Sequence, residues 1–432
     1  MKIAARFGFA NPLLRRLAHG AAWGVVGAIA SRALALLLSV ALARLLQTER
    51  FGQFLIIQNT LGMFGVFAGL GLGVVATKFS AELHSRDAVR LGRILGLVRA
   101  TAAFGSIAVA LVLALLAPMI AGDVFHRPEL TPYVRITSVT VVFLTLEGYN
   151  TAALFGLEHI KQSVKGTLLS AALSTPAALL LTWRMGLEGA VYGLLLSSVL
   201  QCVISHLVLR RALIERGIEH RRHTRAEWNV LYEYAVPSLL GGVMVTPVHW
   251  LCQALLAGRP DGMVQIAILG IGLQWFQAVS FLPVALARVV LPVLTDAVAD
   301  EGNGQSGKVL NAAIGANAMV AFPIAIVISL LSGRIMQIYG VAQSDAGFAL
   351  SLMVIASAVS AVCAVVGQVM VARGKIWQGW MMNVGWATFY VGLAYMLLNL
   401  GAVGVASSLL VAYIAHGAWI AAWMWKNERQ VV

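Results

Sequence analysis

At 432 residues, of which 59% are apolar and only 11% charged, the chain is too hydrophobic for a soluble domain of ordinary composition. A net charge of +13 would suit a nucleic-acid binder if it were concentrated in one domain, but here it is spread over short loops, and no nucleic-acid partner is expected. Three cysteines (Cys202, Cys252 and Cys363) far apart in sequence imply neither a disulfide framework nor a zinc site, so the chain reads as a polytopic, all-α integral membrane protein with no cofactor.

Lys2, Arg6, Arg15 and Arg16 precede an apolar run longer than a signal peptide's, and no cleavage region follows it. Residues 1–19 are therefore expected to be a retained cytoplasmic segment. Apolar runs between polar corners then predict about twelve membrane spans. They fall at 20–46, 51–79, 94–121, 132–156, 164–183, 187–209, 230–257, 263–295, 309–332, 346–371, 377–398 and 401–425.

The first two spans form a hairpin around the corner Gln47-Thr48-Glu49-Arg50. Arg32 lies near the middle of the first, where a charge is expensive unless it faces water or a partner. The second is dense in glycine (Gly62, Gly65, Gly69, Gly71, Gly73), which permits close helix approach and bending. Three stretches here, Ala43-Arg44-Leu45-Leu46, Glu49-Arg50-Phe51-Gly52-Gln53-Phe54 and Gly69 to Phe79, resemble in order and spacing the opening hairpin of bacterial polysaccharide flippases. These O-antigen and exopolysaccharide flippases belong to the multidrug/oligosaccharidyl-lipid/polysaccharide exporter superfamily. The chain departs from the family pattern at Gln47-Thr48, where Gly-Pro is usual, and at Gly69, where an acidic residue is frequent.

Further along, of 31 Lys and Arg, twenty-one fall in loops on the N-terminal side of the membrane, five on the other side and five within spans. By the positive-inside rule both termini are cytoplasmic. The basic stretch 210–228 reads as a cytoplasmic linker between a six-helix bundle at 20–209 and another at 229–425, with 426–432 a cytoplasmic tail. Gly186-Leu187-Glu188-Gly189 opens the sixth span and Gly401-Ala402-Val403-Gly404 the twelfth, about half the chain apart, which implies parallel-topology repeats. The resulting expectation is two bundles around a central cavity.

Proline in a membrane helix frees carbonyls that protein or a water-filled cavity must satisfy, and the seventh and eighth spans hold Pro237, Pro247, Pro283 and Pro292. Their polar residues recur at helical spacing: Thr246, His249 and Gln253 in one, Gln274, Gln277 and Arg288 in the other. Arg32 shares a face with Ser39, and Gln58 and Asn59 add polar groups in the second span. The substrate-binding set expected in the cavity is thus Arg32, Arg288, Ser39, Asn59, His249, Gln253, Gln274 and Gln277. Arginines suit an anionic headgroup, because guanidinium binds phosphate bidentately; the competing reading pairs Arg32 or Arg288 with Glu147, or with backbone carbonyls, for structure alone. Glu147, with Thr151 one turn on, is the buried carboxylate expected to take up a proton for coupling, or else a counter-ion to an arginine.

Two decoys are set aside. Gly302 to Lys308 satisfies GxxxxGK, but Val309 replaces the magnesium-binding hydroxyl and no strand precedes it; a cytoplasmic turn is expected. Glu219-His220-Arg221-Arg222-His223 lacks metal-ligand spacing. Trp183, Trp377, Trp423 and Trp425, near span ends, suit an interfacial belt.

The resemblance implies inner-membrane transport by alternating access of a polyprenyl-pyrophosphate-linked oligosaccharide for surface polysaccharide (lipopolysaccharide or exopolysaccharide) assembly. Its partners would be that lipid-linked oligosaccharide, the bilayer, and a polysaccharide polymerase and other assembly proteins. No enzymatic activity is expected. The alternatives are a proton- or sodium-coupled multidrug exporter of the same architecture and a membrane polymerase or glycosyltransferase, for which a large external catalytic loop would be needed. A further alternative is a scaffold of the assembly machinery.

Overall fold

A computed structural model of the chain describes residues 12–219, 225–235, 244–299, 305–372 and 375–428, with side chains described over most of these but not over 12–26, 225–226, 282, 284–299, 305–309, 369, 371–372, 376 or 425–428. The helices are α1 (Pro12–Gly69), α2 (Leu72–Leu83), α3 (Ala88–Met119), α4 (Thr131–Gly156), α5 (Ile160–Met185), α6 (Leu187–Glu215), α7 (Arg225–Val230), α8 (Val245–Ala257), α9 (Gly262–Ala299), α10 (Gln305–Tyr339), α11 (Ala346–Ala372), α12 (Ile376–Met396) and α13 (Gly401–Glu428). In hydrocarbon every backbone N–H and C=O must be satisfied internally, and an all-helical fold achieves this within each segment. Nine stretches of the described residues are long and apolar enough to cross a membrane, the first being Gly27–Gly69.

That first stretch takes in most of the first two predicted spans. α1 runs 58 residues but loses helical geometry at Gln47 (φ 63°, ψ 166°), the first residue of the predicted corner. The second predicted span, expected to be continuous over 51–79, is instead broken: Leu70 (φ 44°) and Gly71 (φ 67°) are left-handed, and α2 restarts at Leu72. Glycine tolerates positive φ without steric cost, and Gly71 sits where the chain needs it.

Packing divides the chain into two compact units. The first comprises residues up to Leu45, Ile57–Asp123 and Arg127–Val243; the second comprises Leu46–Ile56, Val124–His126 and Met244–Val432. In the first unit α4 packs against α2, α3 and α6, α2 also packs on α3, and α5 lies along α6. In the second unit α11 packs against α9, α10 and α13, α9 also packs on α10, and α12 lies along α13. One packing scheme therefore occurs twice, with α4 and α11 in the same place.

The glycine tetrads also do one job twice. Gly186 (φ 60°, ψ −130°) and Gly401 (φ 60°, ψ −137°) each sit at the start of a helix in nearly the same positive-φ conformation. Three residues on, Gly189 abuts the Leu181 carbonyl and Gly404 the Leu397 carbonyl so closely that a Cβ would collide with either.

At the end of the first unit that carries the α2–α3 and α4–α5 connections, an apolar core joins Leu72, Phe79, Leu95, Leu157, Leu213 and Leu231. The basic stretch after α6 is partly built into this core. Ile218 and Val230 are buried, and Arg93 Nε lies 2.8 Å from the buried Glu227 carboxylate. His220 to His223 lie outside the described residues, as do Gly302 to Gly304 of the glycine-rich turn.

Candidate functional site

The first unit holds four of the predicted site residues. Arg32 is half-buried on the first arm of α1, and it is engaged within the structure rather than free. Ser39, two turns on, is buried, and its hydroxyl has no hydrogen-bond partner among the described residues. Asn59, on the second arm, is half-buried and likewise engaged.

Glu147 occupies the middle of α4, half-buried, and Thr151 one turn later donates to its Oε1 at 2.7 Å. Among the described residues it forms no ion pair. It opens into a pocket of about 520 Å³ between α2 and α4, lined also by Thr77, Lys78, Thr151 and Phe155. Thr77 donates to the Ala152 carbonyl at 3.0 Å, which ties the two helices together beside the pocket. Lys78 Nζ lies 3.6 Å from the centre of the Tyr234 ring, a cation–π contact that holds the ammonium beside apolar surface. A carboxylate and an ammonium thus share one pocket, and only the carboxylate is expected from the sequence.

The second unit holds His249, Gln253, Gln274 and Gln277, while the side chain of Arg288, on α9, lies outside the described residues. His249 is enclosed by aromatic rings, with centroids 5.7 Å away at Tyr390, 6.2 Å at Trp386 and 6.4 Å at Phe276. Tyr413 completes the cluster, 5.2 Å from Trp386 and 6.0 Å from Phe276. Gln253 is 1% exposed and engaged, so it is a core residue of α8; Gln277 is exposed.

Several buried polar atoms of that unit have no hydrogen-bond partner among the described residues, Gln274 Oε1, Trp275 Nε1 and Trp386 Nε1 among them. An unsatisfied buried donor or acceptor costs about 1–3 kcal/mol, so such atoms mark where water or a ligand group would be held. Trp386 and Tyr390 stand one turn apart on α12. This i, i+4 aromatic pair was the available signal for the cluster, and its role appears only when α12 is set beside α8 and α9. No group of three or more potential metal ligands occurs among the described residues.

Chemically, the first unit offers a guanidinium in an apolar helix and a carboxylate in a side pocket, and the second an aromatic cluster with unsatisfied amide and indole groups. These suit a phosphate, a proton and a sugar face respectively.

The EPS I polysaccharide export inner membrane protein EpsE of Ralstonia nicotianae is 26% identical over 405 residues, covering 89% of this chain and 88% of that protein. The EpsE of Ralstonia solanacearum is also 26% identical, over 402 residues. Among solved structures, a multidrug resistance MATE family transporter of the MOP superfamily, in its inward-facing conformation, superposes with a TM-score of 0.73 at 14% identity over 92% of this chain and 96% of its own. The lipid II flippase MurJ, in an inward closed conformation, superposes with a TM-score of 0.70 at 15% identity over 93% of this chain and 87% of its own. At such identities the structures establish a shared fold. The family described as polysaccharide biosynthesis protein matches residues 17–298, more than half of the sequence, and this chain belongs to that family.

Proposed function

We propose that this protein moves a polyprenyl-pyrophosphate-linked oligosaccharide across the bacterial inner membrane for surface polysaccharide assembly, by alternating access. The observation that carries this reading is Arg32. It stands half-buried within a helix whose neighbours are almost all apolar, in a chain of the polysaccharide biosynthesis family. An intramembrane charge is costly to keep, and guanidinium paired with pyrophosphate gains two or more charge-assisted hydrogen bonds. Arg288 is the second arginine proposed for the phosphates. The aromatic cluster around His249, together with Gln274 of the same unit, suits sugar rings, whose C–H faces stack on aromatics and whose hydroxyls take up amide and indole partners.

The names of the relatives support export of a polysaccharide at the inner membrane, and the shared fold of MurJ is compatible with a lipid-linked cargo. The fold is equally that of a multidrug transporter, so the choice rests on the family and on a cationic rather than anionic residue in the first span. Glu147, with Lys78 in the same pocket, is proposed as a coupling group.

The test is reconstitution in liposomes containing lipid-linked oligosaccharide, with lectin access measured on each leaflet. Losing two charged hydrogen bonds at about 1.5 kcal/mol or more apiece predicts that Arg32→Ala slows equilibration by at least about a hundredfold at normal insertion. Equal rates for the variant and wild type would remove Arg32 from the site. Running Glu147→Gln with and without an imposed proton gradient in the same assay reads coupling separately.

A further inference from the structure

A second charged site lies in the first unit, on a groove that shares no lining residue with the Glu147 pocket. α3 and α6 both pack on α4, which leaves a groove between them floored by α4. Two adjoining cavities, of about 380 and 220 Å³, occupy this groove, and Arg99 of α3 and His206 of α6 line both of them. Arg210, one turn beyond His206, lines the larger. Arg99 and Arg210 are exposed and have no ion pair or hydrogen bond among the described residues.

The floor of the groove is already satisfied. Tyr149 donates to the Leu95 carbonyl at 3.2 Å, and Asn150 donates to Ser205 at 3.0 Å. Glu219 also lines the larger cavity, and it has an interaction of its own. The cations are therefore the groups left to bind something.

The position identifies the ligand. The groove opens toward the unit's basic end, where α6 finishes and the α2–α3 and α4–α5 connections lie. Below the charges on α6, Val203 (47% exposed) and Leu207 (50% exposed) point outward, and Ile214 flanks the opening. An apolar wall one to two turns beneath a cationic cluster matches acyl chains beneath a phosphate, and basic pockets between membrane helices on the cytoplasmic side hold acidic headgroups. Long cationic side chains near span ends also reach to the headgroup layer by extending along apolar surface.

We propose that the α3–α4–α6 groove is a binding site for the phosphodiester headgroup of an anionic phospholipid of the cytoplasmic leaflet, held by Arg99, His206 and Arg210. Such a site would anchor the first unit in the leaflet independently of the cargo, and it does not depend on what the protein transports.

The experiment is native mass spectrometry of detergent-purified full-length protein titrated with cardiolipin, phosphatidylglycerol or phosphatidylcholine. Arg99→Gln/Arg210→Gln is compared with Arg50→Gln/Arg334→Gln, which removes the same charge at exposed positions elsewhere. The expected result is saturable binding of the two anionic lipids at least about tenfold tighter than phosphatidylcholine. That preference should be lost in the groove variant and kept in the charge-matched control. Equal loss in both variants would mean non-specific attraction, and an unaltered preference in the groove variant would exclude the site; either overturns the proposal. Inorganic pyrophosphate is added as a competitor. If it displaces cardiolipin at low millimolar concentration and binds equally well without lipid, the groove is a soluble-anion site and the lipid assignment falls. Should the double variant not be recovered, Arg210→Gln alone, at an exposed helix end, gives the same reading with a smaller expected loss of roughly threefold.

Discussion

His159 shows how a single residue at the rim of a membrane bundle can be tied to pH. It begins the turn into α5, where its N–H donates to the Leu154 carbonyl at 2.9 Å while Arg216 donates to the neighbouring Leu157 carbonyl at 2.8 Å. Burial, and next the Arg216 guanidinium, push its pKa below the ordinary histidine value, with Glu215 opposing. A histidine with a lowered folded-state pKa binds fewer protons folded than unfolded, so its contribution to stability is complete above about pH 6.5 and is lost as pH falls below that. Thermal stability in detergent should therefore fall as pH is lowered from 7 to 5, and His159→Gln should flatten that slope. An unchanged slope would assign the acid sensitivity to other groups. Other residues divide by how local their environment is. The pairing of Thr151 with Glu147 was legible because an i, i+4 contact on a helix needs no tertiary information. Lys78 in the Glu147 pocket was not legible, because α2 and α4 are brought together only by packing.

At the scale of elements, hydropathy alone marks the helices, but their breaks depend on single residues. The predicted corner at Gln47 was visible as a polar interruption. The break at Leu70–Gly71 was not, since an apolar residue and a glycine leave the hydropathy of the run unchanged. Glycine density was its one signal. The two tetrads are more informative, since sequence spacing suggested a repeat and the backbone gives both the same geometry. A Cβ at Gly404 would collide with the Leu397 carbonyl, which cannot move without disturbing the turn into α13. Gly404→Ala is expected to cost about 1–3 kcal/mol by overpacking. Gly401→Ala should cost a similar roughly 1–3 kcal/mol through its positive φ. Gly392→Ala is the control: nothing lies within 4 Å of the added Cβ, and alanine favours a helix over glycine. Fluorescence-detected size-exclusion after graded heating should lower the midpoint for the first two and leave it level or raised for the third. A level midpoint for Gly404→Ala would mean the two helices can part without loss.

At the scale of the whole molecule, the halves read from sequence and the units defined by packing differ in composition, and that difference has an experimental consequence. Leu46–Ile56, early in the chain, belongs to the second unit. Phe51 is 1% exposed, and its ring lies 6.4 Å from that of Tyr339, at the end of α10. Gly52 meets the Met263 carbonyl so closely that a Cβ would collide with it, and Leu55 packs on Gly270. Val124–His126 enters the same unit, where Phe125 lies edge-on to Trp250 at 6.3 Å. Hydropathy could place these residues at span ends, but no pattern of period 3.6 says which bundle a span end packs against. A fragment beginning at residue 225 therefore carries every helix from α7 onward and still lacks part of its own core. Expressed alone it should be recovered poorly, and co-expression with residues 1–219 should restore a monodisperse complex. Phe51→Ala in the intact chain should reproduce the defect, since truncating a buried phenylalanine costs about 3–5 kcal/mol. If fragment 225–432 were as heat-stable alone as in the intact chain, the segment around Phe51 would be dispensable to the second unit, and the unit would coincide with the half that begins at the linker.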